Sequence, residues 1–168
     1  FLRCKSLKAI HIPDSVTSIG SAFEYCESLT AIKIPDSVTS IWKSAFFGCK
    51  SLRSIHISDN VTSIEDHIFG QCESLTSIVI PDSVISIGHE AFLNCKALTS
   101  IEIPDSVTSI GDEAFSGCNS LKLVKIPRNA IIGESAFPPD TEIIASNPDS
   151  PFQKASGVPP RWELLAFR

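Results

Sequence analysis

The sequence predicts a mainly β repeat solenoid, and three observations carry that expectation. The nonapeptide IPDSVTSIG stands at residues 12–20 and again at 103–111, with near copies at 34–42, 57–65 and 80–88. Cysteine recurs at Cys4, Cys26, Cys49, Cys72, Cys95 and Cys118, spaced by 22 residues once and 23 thereafter. An apolar set travels with it: Leu98, Ile101, Ile103, Val107, Ile110, Ala114 and Phe115 in one unit, with counterparts in the others. A fixed period in the twenties means that each unit buries its apolar face only by stacking on its neighbours.

Within a unit, LTSIEI (98–103) alternates apolar and polar residues around Ile101 and Ile103 and is predicted to be a strand. PDS turns the chain, because proline fixes φ and an aspartate can bond backbone amides further on. VTSI supplies a second short extended segment. DEAFSGC is too short for an ordinary helix and is expected to form one helical or 3₁₀ turn on the opposite side. Stacking such units gives parallel strands about 4.8 Å apart in one long concave sheet. The last unit decays: Asp140 stands where cysteine is due, and TEIIAS at 141–146 is expected to supply a terminal strand. The expected organisation is a solenoid over 1–146, of about six units with a degenerate last one, and a tail or cap over 147–168. That tail is rich in Pro, Ser and Gly before RWELLAFR.

Composition bounds the function. The chain has 168 residues, 43% hydrophobic and 20% charged, enough for one folded domain. A net charge of -5 and a pI near 5.3 argue against nucleic acid, whose binding needs basic clusters. No apolar run has the roughly 18 residues of a membrane span. The opening FLRCKSL matches FEYCESL, FFGCKSL and FSGCNSL, so the chain starts in mid-repeat and is expected to be the C-terminal piece of a longer protein.

Each ladder that the period creates has a structural and a chemical reading. The cysteines form no C-x-x-C pair and share one station, so a buried free-thiol ladder is expected rather than disulfides or a metal site. The residue after each cysteine runs Lys5, Glu27, Lys50, Glu73, Lys96, Asn119, and the alternating sign places Lys–Glu neighbours along the stack as a register device. Asp14, Asp36, Asp59, Asp82 and Asp105 could suggest calcium but sit where turns favour Asp. Glu65, Asp66, His67, His89, Glu90, Asp112 and Glu113 fall on one outer ridge, expected to be solvated cross-rung pairs ahead of a divalent-ion site. No metal and no cofactor is assigned. Catalysis finds no motif: repeated serines are what a turn ladder produces, and no Gly-x-Ser-x-Gly elbow or phosphate loop is present.

The unit L-x-x-I-x-I-P-D-S-V-x-x-I-G-x-x-A-F-x-x-C resembles the BspA-like, bacterial surface-protein type of leucine-rich repeat, over residues 1 to about 137. The resemblance implies a right-handed, curved leucine-rich-repeat solenoid that binds proteins or cell surfaces without enzymatic activity of its own. It also implies an extracellular or cell-surface site, while a free-thiol ladder is also compatible with an intracellular one. The departures are Ser58 for proline, Trp42 and Glu65 for glycine, and Ile68 for alanine.

Variation on a fixed frame is how a solenoid encodes a binding face. The outward strand stations of the first three units bring Lys8, His11, Lys33, Arg53 and His56 together, a basic half-face on an acidic chain. The expected partner is a protein or an anionic glycan. Trp42, at a corner glycine station, and Trp162 in the tail are further candidate contacts, since tryptophan is enriched at binding hot spots. The competing expectation is a structural subunit or spacer that contacts an assembly through its open N-terminal edge and C-terminal tail.

Overall fold

A computed structural model describes residues 1–146 of the chain. A full turn of the solenoid, here called a rung and counted from its cysteine, carries two short strands and a turn segment, the first strand being absent from rungs one and four. The first-strand row consists of β2 (Ala31–Lys33), β4 (Ser54–His56), β7 (Ser100–Glu102), β9 (Leu123–Ile126) and β11 (Glu142–Ala145). The second-strand row consists of β1 (Ser18–Ile19), β3 (Ser40–Ile41), β5 (Ser63–Ile64), β6 (Ser86–Ile87), β8 (Ser109–Ile110) and β10 (Ile131–Ile132). Every pairing is parallel and in register from rung to rung, as Ile32 on Ile55 and Ile87 on Ile110 illustrate. The architecture is the expected mainly β solenoid, and 141–146 does contribute a terminal strand, β11 against β9.

The first-strand row differs from the expected single sheet. It divides into β2–β4 and β7–β9–β11, with 76–80 of rung four between them forming no strand. Thr76 alone keeps the contact there, its N–H and its hydroxyl both donating to the Arg53 carbonyl, at 3.3 and 3.4 Å.

The turn segment also differs: among the described residues there is neither an α- nor a 3₁₀-helix. In rungs two to five two stations adopt the left-handed conformation, and rung one has the first of them alone. One immediately precedes cysteine (Tyr25, Gly48, Gln71, Asn94, Gly117), and the other lies two residues before phenylalanine (Ser44, His67, Glu90, Glu113). Left-handed residues four apart cannot share a right-handed helix. The segment instead turns its N–H groups outward along the stack. Ser44, Phe46 and Gly48 donate to Asp66, Ile68 and Gly70 of the next rung at 2.8–3.0 Å, and His67, Phe69 and Gln71 repeat the pattern to His89, Ala91 and Leu93. These bonds offset the cost of left-handed conformations at residues other than glycine.

The core is a set of ladders. Phe1, Phe23, Phe46, Phe69, Phe92, Phe115 and Phe137 stack in one column with ring centroids 4.9–5.7 Å apart. Burying each of the five inner rings, Phe23 to Phe115, contributes about 1.5–3 kcal/mol, and stacking adds about 0.5–1.5 kcal/mol. Beside the column, five cysteines are buried and free, while Cys4 is free and exposed. Each buried thiol donates to the carbonyl of the phenylalanine one rung back, from Cys26 on Phe1 to Cys118 on Phe92, at 3.1–3.3 Å. Burial pushes the Cys49 thiol up to about 12 and raises Cys26, Cys72 and Cys95 as well.

At the PDS turn the hydroxyl, not the carboxylate, makes the connection between rungs. Ser37, Ser83 and Ser106 donate to Val16, Val61 and Val84 at 2.6–2.7 Å, and Asn60 Nδ2 replaces serine in rung three by bonding the Asp36 carbonyl at 2.7 Å. The aspartates stay exposed and accept no backbone amide within their own turns. Ser58, standing for proline, is fully buried and accepts the Asn60 N–H at 3.2 Å.

The corner glycines meet backbone to backbone. A Cβ on Gly111 would lie 2.6 Å from the Gly88 carbonyl carbon. The bond between rungs survives one side chain per pair, since Gly88 donates to Ile64 beside Glu65 and Trp42 donates to Ile19 beside Gly20. Two are not: where Trp42 stacks under Glu65, no bond joins the Glu65 N–H to Ile41, and β3 and β5 approach without pairing.

Candidate functional site

The basic half-face is assembled by β2 and β4. Ile32 and Ile55 point into the core, so Lys33 and His56 are turned outward, and they are direct register partners. His11 occupies the equivalent station of rung one and is exposed. Lys8 and Arg53 are exposed too: Arg53 stands just ahead of β4, and Lys8 holds the same station in rung one, where 8–12 form no strand; the Thr30 N–H on the Lys8 carbonyl at 3.2 Å and the Arg53 N–H on the Thr30 carbonyl at 3.0 Å tie them to the frame. His11 and Lys33 share a hollow of about 420 Å³ whose floor also carries Asp14 and Asp36. The row is therefore basic along its strands and acidic at its turn.

Further along the same face the character changes. Val79 is 78% exposed, Leu123 is exposed, and Lys125 faces Glu102 at 3.9 Å. A second hollow, about 580 Å³, opens between Ile78–Ile80 and Glu102–Asp105, where rung four lacks its strand. Ser146 bonds the Asp105 carboxylate at its margin. The sequence carries no mark of this hollow, because TSIVIP fits the repeat.

Trp42 is 62% exposed and leaves Phe47 to an edge contact with Tyr25 at 5.5 Å and another with His67 at 6.5 Å. Phe1 and Leu2 are exposed at the N-terminal edge. Trp162 lies outside the described residues.

The charge ladder forms three of its four pairs: Lys5–Glu27 at 3.1 Å, Lys50–Glu27 at 3.7 Å and Lys96–Glu73 at 3.3 Å. Among the described residues Lys50 and Glu73 make no pair, so the alternation is interrupted at one step. The Lys5 ammonium bonded to Glu27 is the main cause that holds the Glu27 carboxyl below its ordinary range, with Lys50 adding to it. On the outer ridge, Asp66 and Asp112 bond the amides of His89 and Glu134 in the next rung at 2.8 and 2.7 Å. His67, His89 and Glu90 converge there, a juxtaposition that the sequence places on one ridge but cannot aim.

With this geometry in view, comparison with known proteins decides the family. The sequence profile of the BspA type leucine rich repeat region matches residues 1–72 and 20–144, in six copies. The chain belongs to the BspA-type leucine-rich repeat family. Repeats of this family are generally protein-interaction modules. A leucine-rich repeat protein from Bacteroides ovatus is 36% identical with a TM-score of 0.70, over 84% of this chain and 46% of its own. A leucine rich cell surface protein from Faecalibacterium prausnitzii is 41% identical with a TM-score of 0.67, over 69% of this chain and 31% of its own. The leucine-rich repeat protein of T. pallidum is 29% identical with a TM-score of 0.69, over 82% and 70%. The BspA-type chain thus spans less than half the length of the first two. No curated protein matches it.

Proposed function

We propose that this BspA-type chain is a non-enzymatic recognition module that docks an acidic protein on its first-strand face at rungs one to three. The observation that carries the reading is the register of Lys33 on His56, with His11 alongside, Arg53 ahead of β4 and Lys8 at the matching station of rung one, on a chain of net charge -5. Repeating interior stations hold the frame while these outward stations vary, which separates stability from specificity. The F. prausnitzii relative is a leucine rich cell surface protein, which supports a role in surface attachment. Exposed Trp42 adds an aromatic contact at the adjoining corner.

The test is capture from an extract of the source cells by the immobilised chain. Lys33→Glu with Arg53→Glu is expected to abolish capture of an acidic protein, and added salt to weaken the parent's capture in parallel. Retention of the parent on a sulfated-glycan column, lost in the same variant, would assign the face to an anionic glycan instead. Capture unchanged by the double variant but lost on removing 159–168 would overturn the reading in favour of a structural subunit joined through its ends.

A further inference from the structure

The outer ridge of rungs three and four gathers two imidazoles and a carboxylate, away from the strand face. His67 Nδ1 lies 3.2 Å from Glu90 Oε2, and His89 Nε2 lies 3.1 Å from Glu90 Oε1. One donor atom from each of the three residues lies within 4.8 Å of the others. The side chains are half-buried, between 24% and 43% exposed, so solvent reaches them without flooding them. Their backbone is fixed by the solenoid. His67 and Glu90 are left-handed, the His67 N–H donates to the His89 carbonyl at 2.9 Å, and the His89 N–H donates to Asp66 Oδ1 at 2.8 Å.

His89 supplies the decisive observation. Its Nδ1 faces the Asp112 carbonyl oxygen at 2.9 Å while its Nε2 faces the Glu90 carboxylate. Both oxygens only accept, whereas a neutral imidazole has one N–H and one lone pair. One of the two contacts therefore sets a lone pair against oxygen, unless the ring is an imidazolium or a cation sits on the lone pair. In the second case Nδ1–H donates to Asp112 and Nε2 is the ligand, which is how the outer hydrogen bond of a metal-binding histidine fixes its tautomer.

We propose that His67, His89 and Glu90 bind a divalent first-row transition ion of the zinc class, joining rung three to rung four. Metal–ligand bonds of about 2.0–2.1 Å at tetrahedral angles place ligand atoms about 3.3 Å apart. The two N···O separations have that length but end on different oxygens of Glu90, Oε2 for His67 and Oε1 for His89; with one ligand atom taken from each residue the atoms lie within 4.8 Å, so a turn of the carboxylate and a swing of the imidazoles bring all three onto one ion. Two imidazoles with a single carboxylate select Zn²⁺, Ni²⁺ or Cu²⁺ over Ca²⁺ and Mg²⁺, which take shells of oxygen. The fourth position opens to solvent, so the ion is exchangeable. The site lies opposite the point where the strand row lapses, so the ion ties the two rungs together on the turn side.

The experiment is calorimetric titration of the 168-residue chain with Zn²⁺ alone, in a Cys4→Ser background that removes the exposed thiol. One ion per chain is expected, with affinity lowered at least tenfold by His89→Ala and by Glu90→Gln, and unchanged by Glu113→Gln on the same ridge. Zn²⁺ should raise the melting temperature of the Cys4→Ser chain and not that of the two site variants. Should a variant fold poorly, diethyl pyrocarbonate footprinting of the Cys4→Ser chain gives a second readout. Zn²⁺ is expected to protect His67 and His89 but not His11 and His56. Absence of saturable binding, binding indifferent to His89→Ala, or equal protection of all four histidines would overturn the proposal.

Discussion

The turn side and the strand side of this solenoid are built from the same repeat, yet only one of them is continuous. On the turn side, rungs two to four hand three N–H groups to the next rung at every step, even though the first and third donor of each three are left-handed. On the strand side, β-propensity is higher, but the first row lapses at 76–80 and the second between β3 and β5. Regularity follows the buried column rather than local preference. The turn segment encloses the phenylalanines and thiols, all at the same depth, so its rungs cannot shift. The strands have one face in solvent, where a Trp42–Glu65 stack or an exposed Val79 relaxes the pairing without opening the core. The side that varies is the side available for recognition.

Breaking the turn side should therefore have the largest effect. Phe69→Ala removes a ring stacked between Phe46 and Phe92 and leaves a cavity in mid-column. It is expected to cost about 3–5 kcal/mol in urea-induced unfolding. Val79→Thr on the strand side should stay within about 0.5 kcal/mol. Similar losses for the two would remove the distinction between the sides.

Gly111→Ala probes the corner where the sides meet. Its new Cβ faces the Gly88 backbone, which has no side chain to move aside, and a loss of about 1–3 kcal/mol is expected. Glu65→Gly is the converse: by removing one of the two opposed side chains it should let its N–H reach Ile41, seen as slowed amide exchange at residue 65.

The thiol ladder sharpens the contrast in another way. At pH 8, Cys4 alone should react with a thiol reagent in the folded chain, and all six cysteines after denaturation. For Cys49 the folded value is raised from 9.0 to about 12, so below 9 its contribution is complete. Between 9 and 12 the unfolded chain ionises while the folded one holds its proton, and stability falls as pH rises. A melting temperature flat from pH 8 to pH 11 would contradict this burial.

How much of this was legible in the letters follows from what each residue answers to. The stations of Phe46, Cys49, Leu52 and Val61 were legible because stacking gives each the same neighbours, and a period records that. The left-handed stations were not, since Glu90, His67, Gln71 and Asn94 are outwardly ordinary residues whose conformation is imposed by bonds to the next rung. Asp was favoured at the PDS turn on local grounds, but the bond that matters spans 21–22 residues and belongs to serine. For the proposed recognition face the sequence supplies the basic stations and the strand period. The placing of Arg53 ahead of β4, the missing strand beside Lys8 and the hollow at rung four depend on pairing that the pattern does not encode.

The smallest expected effect concerns the charge ladder, which runs along the surface just beyond the thiols. Glu27 is held between Lys5 and Lys50, and its carboxyl is held below the usual carboxylate range by those two ammonium groups. A depressed folded value means that the stabilisation is present above the unfolded value of about 4.3 and is lost as pH falls through the folded one. The melting temperature of the parent should therefore drop more steeply below pH 4.5 than that of Glu27→Gln, and added salt should bring the two curves together. Lys50→Ala should retain most of this pH dependence, because Lys5 is the nearer partner at 3.1 Å against 3.7 Å. If Lys50→Ala abolished the pH dependence as fully as Glu27→Gln, the ladder would be acting as a shared network across three rungs, and the interruption at Glu73 would then set its length.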